Sequence, residues 1–416
     1  MPDAHDSAPW ASDEDIERAG EALLRAVRAS FSPSVADLSL RDASAQLGID
    51  RGLAWKLQRL LTTEDPLLAL HDSPSVPGLR KLAAAAGRSS DSAESRARLG
   101  EAADEFARLL DRFPDGRNGL RAALCHSIPQ AKTAADRDAR RMLAQATSHL
   151  HGFAADVSYN IMVLRPAPDG QDTILRARVA GLFGFRRLRQ HRAHRILVTT
   201  MPEPEPQDSN SWILTTLEGR ASNDLRDYVI PEFTTIDTNH VRIQRDGRHA
   251  TLWCLLNTPP INQPSDLVYG QRAGRLSPRY ATSEGEYTHS AFSNRMGSGV
   301  LVVDLLLHRD AFPDADPPEL VQTMVTEIDP RRIEGPPSSI PGQLDQPVEV
   351  MPLGHGLARS GSPDAALAPD ILKTVFNQLG EDPNEFRLYR YRQTYPVPQG
   401  VWIFWFPMPQ RASMST

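Results

Sequence analysis

The chain has 416 residues, enough for two or three domains with sizeable cores. Forty per cent of them are hydrophobic and 24% charged, the balance of a globular protein, and no apolar run reaches the length that spans a bilayer. The net charge of −6 divides as −2 over residues 1–150, +5 over 151–200 and −9 over 201–416, which argues against indiscriminate nucleic-acid binding but leaves room for a local basic face.

The opening stretch, "MPDAHDSAPWASDEDIE", is acidic and lacks the charged-then-apolar layout of a signal peptide. Cys125 and Cys254 are too few for a disulfide framework or a structural zinc site, and both sit among apolar neighbours as small core residues do. These features set the expectation of a reducing, cytoplasmic setting, with neither metal nor cofactor.

Residues 12–150 read as consecutive helices. Ser12 caps the first, with Asp15 completing a capping box, and Ile16, Ala19, Leu23, Leu24, Val27 and Phe31 share one face before Pro33 ends the segment. "SLRDASAQLGIDRGLAWKLQRLL", Ser39 to Leu61, reads as two short helices joined at Gly48. "DPLLALHD" and "PGLRKLAAAAGR" follow, then a longer helix near 91–113 with the stripe Leu99, Ala103, Phe106, Leu109, Leu110 and Phe113, a short one near 117–126 and another near 131–150. From about residue 152 the pattern turns to β-branched and aromatic runs: "VSYNIMVLRP", "TILRARVAGLFGF" and "HRILVTTMP". "HVRIQRDGRHATLWCLL" predicts a hairpin turning at Asp246-Gly247, "SGVLVVDLLLH" a buried strand, and "FRLYRYRQTYPVPQGVWIFWFPMP" a second hairpin across "VPQG". One late helix, "PDAALAPDILKTVFNQLG", stops at Gly380. The expected class is multidomain, α followed by α+β: a helical domain over 12–150 and a β-rich mixed domain over 151–416 that senses a ligand, mediates self-association, or both.

Within Ser39–Leu61, Ser39 and Asp50 are N-cap residues, Gly48 suits the left-handed turn, and Ala43, Leu47, Ile49, Ala54 and Leu57 point inward. A small residue, Ser44, stands where the helices cross, with glycine four later and the apolar Ala54 and Leu57 six and nine after that. This spacing resembles the helix-turn-helix of bacterial transcription regulators, over this short segment only. The resemblance implies a recognition helix whose exposed Arg51, Gly52, Trp55, Lys56 and Arg59 face the major groove, with the three cations suited to phosphate or guanine contact. Trp55 would be an unusual groove contact, and packing against the next helix is the preferred reading for it. The Ser/Thr-rich entry common in that class is absent, and the acidic, helical "TTEDPLLALHD" stands where a wing would follow, which favours a tri-helical domain. The alternative for the whole segment is a plain helical hairpin.

A second signal is "RARVAGLFGFRRLRQHRAHR", which carries Arg176, Arg178, Arg186, Arg187, Arg189, Arg192 and Arg195, with His191 and His194, and no acid. It reads either as a phosphate-binding surface, with Phe183 and Phe185 available for stacking, or as a solvated run paired with the acidic remainder of its own domain.

Enzyme signatures are missing: there is no Walker A sequence, HExxH, GxSxG or paired CxxC, and "GHGLARSG" reads as an ordinary loop. His149 and His151 are two apart on a helix and point different ways. The polar, glycine-dotted 277–299 is the most loop-like place for a ligand. The reading that results is a DNA-binding transcriptional regulator whose partners are double-stranded DNA, a small-molecule effector and a second copy of the chain. Two alternatives stay open: a protein-interaction module using Trp55, and an enzyme with a site near 277–310.

Overall fold

The computed structural model describes residues 11–86, 92–124, 128–168, 172–190, 194–200, 215–220, 222, 224–246, 250–255, 260–294, 296–324, 336–344, 346 and 348–411. The chain is α+β, with helices mostly in its N-terminal part and strands in its C-terminal part. It divides into two compact units, Met1–Asp136 and Arg137–Thr416.

The helices of the first unit are α1 (Asp13–Ser30), α2 (Leu40–Leu47), α3 (Arg51–Thr62), α4 (Pro66–Asp72), α5 (Val76–Ala86), α6 (Ser92–Leu110) and α7 (Arg117–Leu124); α8 (Pro129–His151) contains the division between units. α1 begins as expected. The Ser12 side chain accepts from Asp15 N at 3.2 Å, and the Asp15 carboxylate accepts from Ser12 N at 3.2 Å. Its inward stripe, Ile16, Leu23, Leu24 and Val27, packs with Leu70 of α4 and with Leu99, Ala103 and Phe106 of α6. Each fully buried Leu or Val of this stripe contributes about 1.5–3 kcal/mol.

The strands of the second unit are β1 (Phe153–Pro166), β2 (Thr173–Arg187), β3 (His194–Thr200), β4 (Val241–Asp246), β5 (Ala250–Leu255), β6 (Ser265–Pro278), β7 (Tyr287–Asn294), β8 (Ser298–His308), β9 (Glu319–Met324), β10 (Val350–His355), β11 (Phe386–Thr394) and β12 (Gly400–Pro407); α9 (Ala368–Leu379) is its late helix. They form a six-stranded sheet in the order β10-β11-β8-β1-β2-β6 and two three-stranded sheets, β7-β12-β9 and β3-β5-β4. In the large sheet β1 and β8 run parallel and the other neighbours antiparallel.

One face of the large sheet, through Tyr159, Ile161, Val163, Val179, Val302 and Leu306, packs on Ile371, Leu372, Val375 and Phe376 of α9. The other, through Met162, Leu164, Val303, Leu305 and Tyr391, packs on Phe292, Trp402, Phe404 and Phe406 of the β7-β12-β9 sheet. The layers are therefore helix, sheet, sheet. α9 ends at Gly380, whose left-handed φ of 69° lets its N–H bond back to Phe376.

The pairing of β4 with β5, Asp246 opposite Ala250, matches the first expected hairpin, whose Gly247 lies outside the described residues. The second expected hairpin does not form. β11 lies between β10 and β8, and β12 lies between β7 and β9 in a different sheet. Both strands are buried on both faces and paired on both edges, so neither has an edge free for the other. The segment between them carries positive φ at Tyr395 and Gln399 and crosses from sheet to sheet, anchored by Tyr395 N to Gly299 O at 2.7 Å and Gln399 N to Asn294 O at 2.6 Å.

A charge stands in the middle of the buried strand β8. Asp304, at 0% exposure, accepts from Arg390 Nε at 2.6 Å and from Arg390 Nη2 at 2.7 Å. The Tyr159 hydroxyl donates to the same carboxylate at 2.6 Å. Burial first, then the neighbouring carboxylate, pushes the Tyr159 hydroxyl well above its usual value. The rest of the guanidinium is taken up by the carbonyls of Ser360 and Gly361.

Removing one partner of a buried pair strands the other in a medium that solvates it poorly. Asp304→Asn is expected to destabilise the second unit by about 3–5 kcal/mol, and replacing Asp304 and Arg390 together by apolar residues by less, both read as urea unfolding midpoints. A second expectation concerns acid. Hydrogen bonds from Ser12, then from Arg112, hold Asp15 down to about 2 from 3.8. Its folded value lies below its unfolded one, so its contribution is full above about pH 4 and is lost as pH falls toward 2. Ser12→Ala should flatten the loss of stability across that window in unfolding titrations of wild type and variant.

Candidate nucleic-acid interface

α2 and α3 meet at a turn built as the sequence requires. Ser39 caps α2 through Asp42 N at 3.1 Å, and Asp50 caps α3 through Leu53 N at 2.8 Å. Gly48 sits at φ 60°, ψ 39°, left-handed backbone that a Cβ would strain. Ser44 locks the corner: its carbonyl accepts from Ile49 N at 3.2 Å, and its hydroxyl donates to Ile49 O at 2.6 Å. Ala43, Ala54 and Leu57 are fully buried, with Leu47 and Ile49 packed against them. Gln58 fastens α3 to the preceding turn by donating to Val35 O at 3.0 Å and Leu38 O at 2.8 Å.

The five residues expected on the outer face of α3 share that face but are not equally free. Arg51 and Gly52 are exposed at its N-terminus. Trp55 is 47% exposed, so it projects outward and is not packed beneath the next helix; the Arg59 guanidinium lies over its ring at 5.8 Å. Arg59 also bonds Asp72 Oδ2 at 2.9 and 2.6 Å. Burial raises the Asp72 carboxyl, but the hydrogen bonds from Arg59 and His71 outweigh it and leave it below its ordinary value. Lys56 is half-buried and donates to Ser73 O at 3.3 Å.

Ser73 caps the C-terminal end of α4, where unpaired carbonyls attract cations. Arg117, at the start of α7, donates to the same carbonyl and to the Ser73 hydroxyl. Arg121, one turn on and exposed, completes the group. Burial and then the repulsion of Arg117 and Arg121 push Lys56 below its usual value, while burial and then Arg121 push Arg117 down. Four cations, Lys56, Arg59, Arg117 and Arg121, thus gather around the end of α4. Sequence reasoning found two of them. Arg117 and Arg121 lie some sixty residues from α3 in sequence, and no local spacing marks them.

The arginine run of the second unit is not one surface, because β2 alternates its side chains between faces. Arg186 is held by Asp156 in a two-pronged pair at 2.6 and 2.7 Å. Arg187 is buried, and the stem of Arg189 packs over Gly152. Arg192 lies outside the described residues; Arg195 is a strand residue of β3 paired with Cys254, and its side chain is not described. Phe183 tilts against Tyr159 and Phe185 stacks on Phe153, both committed to the interior.

The stretch 277–299, expected to be loop-like, instead carries the end of β6, the strand β7 and the start of β8, with a loop only before β7, and β8 continues to His308. In the loop Glu286 accepts from Thr282 and Ser283, which hold its carboxyl down to about 2. His308 packs edge-on against Phe386. Among the described residues no group of His, Cys, Asp and Glu is placed to hold a metal ion, and no helix is long and apolar enough to cross a membrane. No family model and no curated protein matches the chain.

The corner glycine gives this site its most direct test. Gly48→Ala is expected to cost about 1–2 kcal/mol in the first unit, measured by denaturant unfolding, because alanine pays the left-handed penalty that glycine avoids.

Proposed function

We propose that the first unit binds double-stranded DNA with α3 in the major groove, and that the chain is a transcriptional regulator whose second unit senses a small molecule or pairs with a second copy. The observation that carries this reading is the crowding of like charges beside α3: Lys56 and Arg117 share the Ser73 carbonyl, and the repulsion of the exposed Arg121 adds to burial in pushing both down. Phosphate oxygens relieve such repulsion, and release of their counterions drives association. Arg51, Gly52 and Trp55 are left to meet base edges or the sugar–phosphate chain. In a two-fold dimer two such helices would enter successive major grooves about 34 Å apart, and an effector would act by binding one spacing better than another.

Exposed Trp55 favours a second reading, a protein-binding face built around one aromatic anchor. One experiment separates the two. Fluorescence anisotropy is measured at two salt concentrations against a random duplex and against DNA from the protein's own upstream region, for wild type and for Arg51→Ala, Trp55→Ala and Arg121→Ala. These side chains are exposed, so the variants should fold. The DNA reading expects binding that weakens with salt, with a log–log slope smaller by about 1 for each arginine lost. A wild type that fails to bind at low salt overturns it, and salt-insensitive association with partner proteins supports the second reading.

A further inference from the structure

Strand alternation sends two members of the arginine run into the second unit. On β2, Ile174, Arg176, Arg178, Ala180 and Leu182 project toward the side of the large sheet that faces the β7-β12-β9 sheet. Ile174 joins the apolar core between those sheets, and Ala180 and Leu182 pack on a neighbouring apolar group around Tyr269 and Phe185. Arg176 and Arg178 fill the interval between the two. Arg176 reaches across to the buried Ser290 of β7, donating at 3.2 Å. Arg178 stands between Met162 of β1 and Gln271 of β6 in the strand register.

The interval is polar and not sealed. Asn160, Arg176, Arg178 and Gln271 are half-buried here, while on the opposite face at the same level Ile161, Ala177 and Val179 are buried. Arg176 Nε and Gln271 Oε1 are buried without hydrogen-bond partners. Among the described residues no carboxylate meets either guanidinium: the neighbouring charges are Arg178 beside Arg176 and the Tyr269 hydroxyl beside Arg178. Burial pushes both groups down, Arg176 to about 9; an arginine side chain keeps its proton in proteins at neutral pH.

Two like charges half-buried side by side without an acid are costly, in contrast to Arg390 with its carboxylate. Residues two apart on a strand lie about 7 Å apart, which lets two guanidinium forks converge on one oxyanion. The Gln271 amide can turn its NH2 toward the same point. We propose that Arg176 and Arg178, with Gln271 and Ser290, form the binding site for a small oxyanionic ligand, a phosphate monoester or a carboxylate. The site belongs to the second unit, whereas α3 belongs to the first. It extends the DNA reading by naming the chemistry of an effector, but its test needs no DNA and its failure leaves that reading standing.

The experiment is thermal unfolding of the full chain in inorganic phosphate, in succinate and in chloride at matched ionic strength. The expected result is a midpoint that rises with the logarithm of the concentration of one probe over chloride. Phosphate as the effective probe assigns the phosphate ester, and succinate the carboxylate. In Arg176→Met and Arg178→Met that response disappears, while the midpoint in chloride stays level or rises because a stranded cation is gone. Arg178→Lys keeps the charge but loses the fork, and is expected to bind on the order of tenfold more weakly. A wild type insensitive to both probes, or a response that survives in either Met variant, overturns the assignment.

Discussion

The ion pair between Asp304 and Arg390 is the interaction on which the second unit turns. It lies in the sheet face that α9 covers, at 0% and 6% side-chain exposure, and it is satisfied on every side. It joins β8 to β11, reaches β1 through the Tyr159 hydroxyl, and grips the 360–361 turn that leads into α9. Its contribution is to specificity as much as to stability. Asp304 stands opposite Ile161 on one side and Arg390 on the other. A one-residue slip of either strand would carry one partner to the other face and leave a naked charge in an apolar layer. Parallel pairing of β1 with β8 needs such a pin, since the flanking Val and Leu residues would pack nearly as well one step along.

The same physics sorts the other arginines. A guanidinium inside a protein must find an acid, a set of carbonyls, or a visiting anion. Arg390 has the first two. Arg272 has the second: it donates to the Gln378 and Leu379 carbonyls at the end of α9, 3.1 and 3.0 Å away. Arg117 and Lys56 share the carbonyl at the end of α4 but crowd one another. Arg176 and Arg178 lack an acid among the described residues, and it is this difference, more than their number, that separates them from the structural cations.

The helical unit shows the division of labour along a single helix. The inner side of α3, Leu53, Ala54, Leu57 and Leu60, is core, and Gln58 and Arg59 tie it to its neighbours. Only its N-terminal turns, with Arg51, Gly52 and Trp55, stay uncommitted. A helix braced at one end and bare at the other holds those side chains at a fixed angle without spending their donors, which is what recognition of a rigid surface needs.

Local order was legible in the residues. Capping at Ser12, Ser39 and Asp50, the glycine stops at Gly48 and Gly380, and the 3.6-residue stripe of α1 are each decided within a few positions by steric and hydrogen-bonding rules that need no distant partner. The change from helix to strand near residue 152 was equally plain, because alternation and β-branching are local. Pairing was not. β11 and β12 look like a hairpin along the chain, yet each is claimed on both edges by other strands, and no window of sequence contains that competition. Charge partners were hidden for the same reason: Asp304 with Arg390, Lys56 with Arg117, and the inward turn of Arg176 and Arg178 depend on register and on layers that exist only after the sheets have stacked. The sequence alone marked the helices and the strands of strong local pattern, since those signals come from neighbours in the chain, and left β6, β7, β9 and β10 unmarked; the tertiary structure alone decided which charges are compensated, because compensation requires contact between residues that the chain keeps far apart.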